Sequence, residues 1–190
     1  MNPTSVRAYG TRVNEVLGDI SSALDGMLSE IVHVNYTGEN AVQFKTKCGE
    51  LGVEMSNGVR KDMRSIVTAV SAAVTAIAKA MGGTVPTFTA DGKSVSLPAI
   101  PQGDGTYNMD YRGIEAMSSQ VGTSMDRIEG LLDTQLSELV KTDWDGTAKE
   151  RAVGEVRRYT RQAKTKVSDT RSDIQKFVTE QIAALKATDQ

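Results

Sequence analysis

The chain has 190 residues and a formal net charge of −2, with 39% apolar and 5% aromatic residues, four prolines and one cysteine. So few aromatics require a core of Val, Leu, Ile, Met and Ala, a helix-bundle palette within one domain or two small ones. A single cysteine (Cys48) excludes an internal disulfide and a Cys-based zinc site, a single histidine (His33) excludes His-cluster metal chemistry and most His-assisted catalysis, and the charge balance argues against bulk nucleic-acid binding.

Composition therefore predicts a soluble, all-helical protein without catalytic residues, metal or cofactor. The first residues, Met1 to Arg7, contain no apolar run of secretory type, so no cleavable signal peptide is expected.

The first predicted helix starts at Asn2-Pro3, a capping residue followed by a proline suited to the first turn. Val6, Val13, Ile20, Met27 and Val34 recur every seven residues, and Leu17, Leu24 and Ile31 form a second row four residues on. Two such rows make one packing face of a helix of about 30 residues, roughly 45 Å long.

Asn35-Tyr36-Thr37-Gly38 is a turn signal. The apolar pattern resumes at Phe44, Cys48, Leu51, Met55, Val59, Met63, Ile66, Val70, Ala73 and Ile77 and stops at Gly82-Gly83, giving a second helix of about 40 residues. Gly49, Gly52 and Gly58 inside it each cost on the order of 1 kcal/mol and require support from packing or a close neighbour. Its uncharged stretch Ser65–Ala78 reads as too short and too polar to span a bilayer, and as a helix contact made through small residues rather than a membrane-active segment.

Residues 83–108 form a linker with Pro86, Pro98 and Pro101. Asp91-Gly92 between β-prone flanks predicts a short β-hairpin over 87–97, with an unstructured linker as the alternative. A third helix follows on Tyr111, Ile114, Val121, Met125, Ile128, Leu132 and Leu139. After Asp143-Trp144-Asp145-Gly146, a fourth runs on Ala152, Val156, Tyr159, Ala163, Val167, Ile174, Phe177, Ile182 and Leu185.

The halves repeat with an offset of 108 residues: Leu28-Ser29-Glu30-Ile31-Val32 falls on Leu136-Ser137-Glu138-Leu139-Val140, and Val59, Ile66, Val70 and Ile77 fall on Val167, Ile174, Val178 and Leu185 without a gap. The turns align as well. Glycine lets the chain reverse, Thr37 or Asp145 is placed to cap the next helix, and Tyr36 or Trp144 covers the hairpin end. The predicted units are a first hairpin at 1–82, the linker, and a second hairpin at 109–190.

Trp144-Asp145-Gly146 midway through an amphipathic hairpin, with Tyr36-Thr37-Gly38 as a degenerate copy, resembles the WXG superfamily. These are helical-hairpin proteins exported by type VII (ESX) secretion systems of actinobacteria and Gram-positive bacteria. The resemblance covers nearly the whole chain twice, whereas family members are typically single hairpins that pair as antiparallel dimers. It implies a non-enzymatic secreted substrate, or the escort of one, cytoplasmic before export without a cleavable signal. Implied partners are a secretion ATPase or a co-secreted protein, with Tyr36, Gly38, Trp144 and Gly146 as the turn motif and docking candidates. The family's Tyr-x-x-x-Asp/Glu export signal is absent near the C-terminus. Its one match is Tyr111 to Glu115, where Tyr111 and Ile114 are also core heptad positions.

Seven bases, Lys149, Arg151, Arg157, Arg158, Arg161, Lys164 and Lys166, form a stripe on the fourth helix, against eight acids between Asp110 and Asp145 on and beside the third. Charge complementarity between the two helices is the expected use of the stripe, ahead of nucleic acid or an anionic membrane. His33 reads as a helix-end residue and Cys48 as a small core hydrophobe.

Two alternatives to the secretion reading stand: a structural or adaptor bundle of another assembly, for example phage, and a membrane-perturbing effector acting through helix two. Each helix pair has more apolar face than two helices cover, so the hairpins are expected to pack on each other as a single-chain version of the family's dimer, or to exchange between two chains. In an antiparallel packing the linker must run the length of the bundle, roughly 60 Å. About 25 extended residues reach that distance, whereas a folded hairpin consumes much of the slack and favours a parallel arrangement or exchange of hairpins between two chains.

Overall fold

The heptad rows become four helices: α1 (Pro3–Val32), α2 (Glu39–Met81), α3 (Tyr111–Lys141) and α4 (Thr147–Thr188). The computed structural model describes residues 2–90, 92–101 and 111–188. Asp91 of the expected hairpin, Asp110, the linker's end at 108 and the last two residues lie outside them.

Local chemistry sets the ends. The Asn2 side chain accepts from the N–H groups of Thr4 and Ser5 at 3.0 and 3.4 Å, capping α1. Gly82 adopts φ 67° and ends α2 in a left-handed cap, its N–H bonded to the Ala78 carbonyl. The expected caps of α2 and α4 differ from those found. Gly38, not Thr37, is the N-cap of α2, without a side-chain cap bond. Its carbonyl accepts from Ala41 and Val42, as the Gly146 carbonyl accepts from Lys149 and Glu150. Both glycines have φ 116°, a backbone that side-chain-bearing residues rarely adopt, so the glycine takes the cap position itself.

The starts of α2 and α4, and the left-handed glycines Gly38 and Gly146 before them, are 108 residues apart, matching the sequence repeat. The two hairpins pack antiparallel. At one end the Asn2 N–H donates to the Asp143 carbonyl at 3.0 Å and the Asp143 N–H to Ser5 Oγ at 3.0 Å. Toward the other end Ser124 Oγ donates to Glu30 at 3.3 Å, and the rings of Phe44 and Phe177 stack at 5.5 Å. Thus α1 lies on α3 and α2 on α4, while α3–α4 and, more loosely, α1–α2 pack within the hairpins. The result is an all-α four-helix bundle, and the first-helix rows from Val6 to Val34 and from Leu17 to Ile31 are all buried in its core.

The linker departs from its local signal. Among the described residues of 83–101 there is no strand, so the hairpin expected over 87–97 does not form. Instead the chain runs back along the outside of α1 and α2. Phe88 packs on Tyr9 with ring centroids 5.9 Å apart, and Leu97 meets Gly49. From Gly82 to Leu97 the linker covers the axis of α2 back to Gly49, about 50 Å, with a segment that reaches only about 50–54 Å when extended. No chain is left over for a hairpin.

Its polar backbone finds partners on the helices instead. Asn14 donates to the Thr87 carbonyl at 3.0 Å and accepts from the Thr89 N–H at 2.8 Å, Asn57 grips both polar groups of Val95, and Arg64 bonds the Gly92 carbonyl.

The uncharged stretch Ser65–Ala78 is itself too short to cross a bilayer, and it lies inside a longer helix. Within Asn40–Ala80 an 18-residue window reaches a mean hydropathy of 1.3 with 33% of it buried, so α2 is long and apolar enough to cross a bilayer.

Candidate functional site

The two turns close opposite ends of the bundle with the same backbone. The Tyr36 N–H bonds the Val34 carbonyl at 2.8 Å, and the Trp144 N–H bonds the Thr142 carbonyl at 2.8 Å. Both aromatic side chains are 1% exposed. The Tyr36 ring meets the edge of Phe44 at 5.8 Å, and its hydroxyl accepts from Gln181 at 3.0 Å. Burial raises the phenol's pKa, and the Gln181 bond partly offsets this. Trp144 Nε1 has no hydrogen-bond partner among the described residues. Leaving it unpaired costs about 1–3 kcal/mol, so the indole is held there by the apolar area it covers. A docking role for either aromatic requires the bundle end to open.

Tyr111 lies half-buried at the start of α3, with the Lys186 ammonium 4.5 Å from its ring centroid. Ile114 is in the core and Glu115 is exposed. The Tyr-x-x-x-Glu pattern is therefore the first turn of a packed helix, beside the first hairpin's turn. A Cβ on Gly113 would lie 2.5 Å from the Asn35 carbonyl oxygen.

The structure divides the basic stripe among several uses. Lys164 reaches Asp133 on α3 at 2.6 Å, the pairing that complementarity predicts, and Arg171, beyond the stripe, reaches Asp126 at 2.7 Å. Lys166 turns to α2 and pairs with the buried Asp62, its stem crossing Gly58. Arg151 lies 4.0 Å from Glu155 on its own helix, and Arg158 sits 4.6 Å over the neighbouring Tyr159 ring. Lys149 donates to the Thr142 carbonyl at 2.7 Å, closing the second turn. Arg157 and Arg161 are exposed and line a groove of about 440 Å³ between α3 and α4. Among the described residues, an ion pair to α3 thus accounts for one of the seven expected bases, Lys164, although Arg157 and Arg161 also border α3 across the groove.

Sequence reasoning passed over the buried polar residues. Arg60 is 1% exposed and donates to Asp25 at 2.8 Å, to the Ser21 carbonyl at 3.3 Å and to Ser56 at 3.3 Å. Gln135, fully buried, donates to Thr160 at 3.2 Å across the α3–α4 contact. The signal for Gln135 was present, since it fills the gap between Leu132 and Leu139 in the heptad row. His33 caps the end of α1, its Nδ1 2.9 Å from the Ser29 carbonyl oxygen. Cys48 is fully buried, and burial pushes its thiol up to about 12. Among the described residues no three His, Cys, Asp or Glu side chains group to hold a metal ion.

Comparison with protein-family models, curated proteins and solved structures returned no match.

Proposed function

We propose that this protein is a non-enzymatic component of a type VII-like secretion system, exported without a cleavable signal or escorting an exported partner, and built as a single-chain version of an antiparallel hairpin dimer. The observation that carries this reading is the pair of congruent aromatic-x-Gly turns, at 36–38 and 144–146, at opposite ends of one bundle. A hairpin that pairs with a copy of itself needs this arrangement, and the 108-residue repeat joins the two copies in one chain. The expected partners are a secretion ATPase or a co-secreted protein, engaged by the turn ends or by Tyr111 and Glu115. In the native organism the protein is expected in the culture medium and to vanish from it when the secretion ATPase is deleted. Export that continues without the ATPase, or retention in the cytoplasm with the machinery intact, overturns the substrate version; retention combined with loss of a co-secreted protein on deletion of this chain supports the escort version.

One observation favours a second reading, a membrane-perturbing protein. The apolar window of α2 is only 33% buried in the bundle, leaving much of an alanine-rich face outside. That reading predicts leakage of dye from anionic vesicles, and a lack of leakage from neutral to acidic pH excludes it.

A further inference from the structure

The repeat that relates the two hairpins also relates two grooves, one filled and one open. On the first hairpin the linker is seated as a drawn-out segment without strand pairing: Asn57 donates to the Val95 carbonyl at 3.0 Å and accepts from the Val95 N–H at 2.8 Å, and Leu97 rests on Gly49. The residues 108 positions on are Thr165 and Arg157. Both line the α3–α4 groove of about 440 Å³, which no described segment crosses.

The lips of this groove differ in charge. On the α3 lip Asp133 is held by Lys164 at 2.6 Å, and Glu129 lies 3.8 Å from Arg171. On the α4 lip Arg157 and Arg161 are exposed and have no acidic partner among the described residues. They stand one helical turn apart, about 6 Å along the axis. Alternate side chains of an extended strand are about 6.6 Å apart on one face. Two acids separated by one residue therefore meet both guanidiniums at once, each as a charge-assisted pair.

We propose that the α3–α4 groove binds an extended segment of a partner protein carrying an acid-x-acid pair, seated as the linker is on α1–α2, with its carboxylates on Arg157 and Arg161. The described linker residues are not the occupant, because those from Pro86 to Leu97 lie along the first hairpin. A single-stranded nucleic acid fits poorly, because the arginines are not interleaved with aromatics for base stacking. Thr165 replaces the two-point amide grip of Asn57 with one hydroxyl, so the two arginines supply most of the attraction and binding falls with salt. The inference is independent of the export route.

The test is fluorescence anisotropy of the intact protein with a labelled ten-residue peptide of alternating valine and aspartate. Arg157→Glu with Arg161→Glu is expected to weaken binding about tenfold or more, as is replacing every aspartate by asparagine. Lys176→Glu, an exposed site outside the groove, is expected to change it less than about twofold. Circular dichroism checks the fold of each variant, and Arg157→Gln with Arg161→Gln replaces the reversal if it unfolds. No detectable binding of the aspartate peptide overturns the proposal. So does equal affinity in the charge-reversed protein, or tighter binding to a single-stranded oligonucleotide or to phosphatidylserine vesicles than to the peptide.

Discussion

Cys48 holds in the first hairpin the place Val156 holds in the second, and both are fully buried. Burial raises the thiol from 9.0 to about 12, so the folded state keeps the proton longer than the unfolded chain does. Its contribution to stability is complete below pH 9 and is lost as pH rises from 9 toward 12. Tyr9 acts in the same direction above pH 10: its phenol is raised first by burial and then by the charge of Glu138. Lys45 acts oppositely. Its ammonium is lowered by burial, so the cost of burying its charge is relieved as pH rises through the lowered value toward 10.5. Cys48→Val, a substitution the repeat itself makes, is expected to keep neutral-pH stability within about 1.5 kcal/mol and to flatten the decline between pH 9 and 10. Thermal melts across that range check it, as does slow alkylation of Cys48 in the native protein at pH 8.

At the scale of single elements, helix propensity and tertiary contact pull apart at the glycines. Gly130 on α3 has open space around its missing Cβ, and Gly130→Ala is expected to stabilise by about 0.5–1 kcal/mol. Gly113 on the same helix faces the Asn35 carbonyl oxygen, backbone that cannot turn aside. Gly113→Ala is therefore expected to destabilise despite the same gain in propensity, an opposite sign that paired denaturant melts read directly. The linker is an element too, held by side-chain amides rather than a ladder. Asn57→Ala removes both bonds to Val95 and is expected to cost about 1–2 kcal/mol, and to speed proteolysis between Gly92 and Pro101 while the helices stay protected.

For the whole molecule, the strongest packing joins the hairpins to each other: α1 on α3 and α2 on α4. The core rows of α1 are buried only with the second hairpin in place. A chain ending at Gly83 and one starting at Asn108 are therefore expected to be largely unfolded or self-associated alone, and to regain full helicity as a one-to-one complex when mixed. Circular dichroism with light scattering measures this, and two independently monomeric, fully helical halves are the outcome that contradicts it. The intact protein is expected to be a monomer, since the apolar rows of both hairpins are already buried against each other in one bundle.

Heptad spacing, capping residues and turn glycines act within a few residues of chain, so the four helices, the turns at 36–38 and 144–146 and the repeat were legible from the amino-acid order alone. The reach of the linker showed only that antiparallel packing was possible, and the choice between parallel and antiparallel came from the packing itself. Local order could not decide the state of the expected hairpin, whose described residues have no strand and, with the rest of the linker from Gly82, are spread along some 50 Å of helix, where distance overrides turn propensity. Nor could it separate Arg157 and Arg161 from the other bases of α4, or place Arg60 and Gln135 inside. A polar residue at a core position reads as a break in the pattern until the partner across the interface, Asp25 or Thr160, is in place. Those partners are brought together only by the packing of one helix on another.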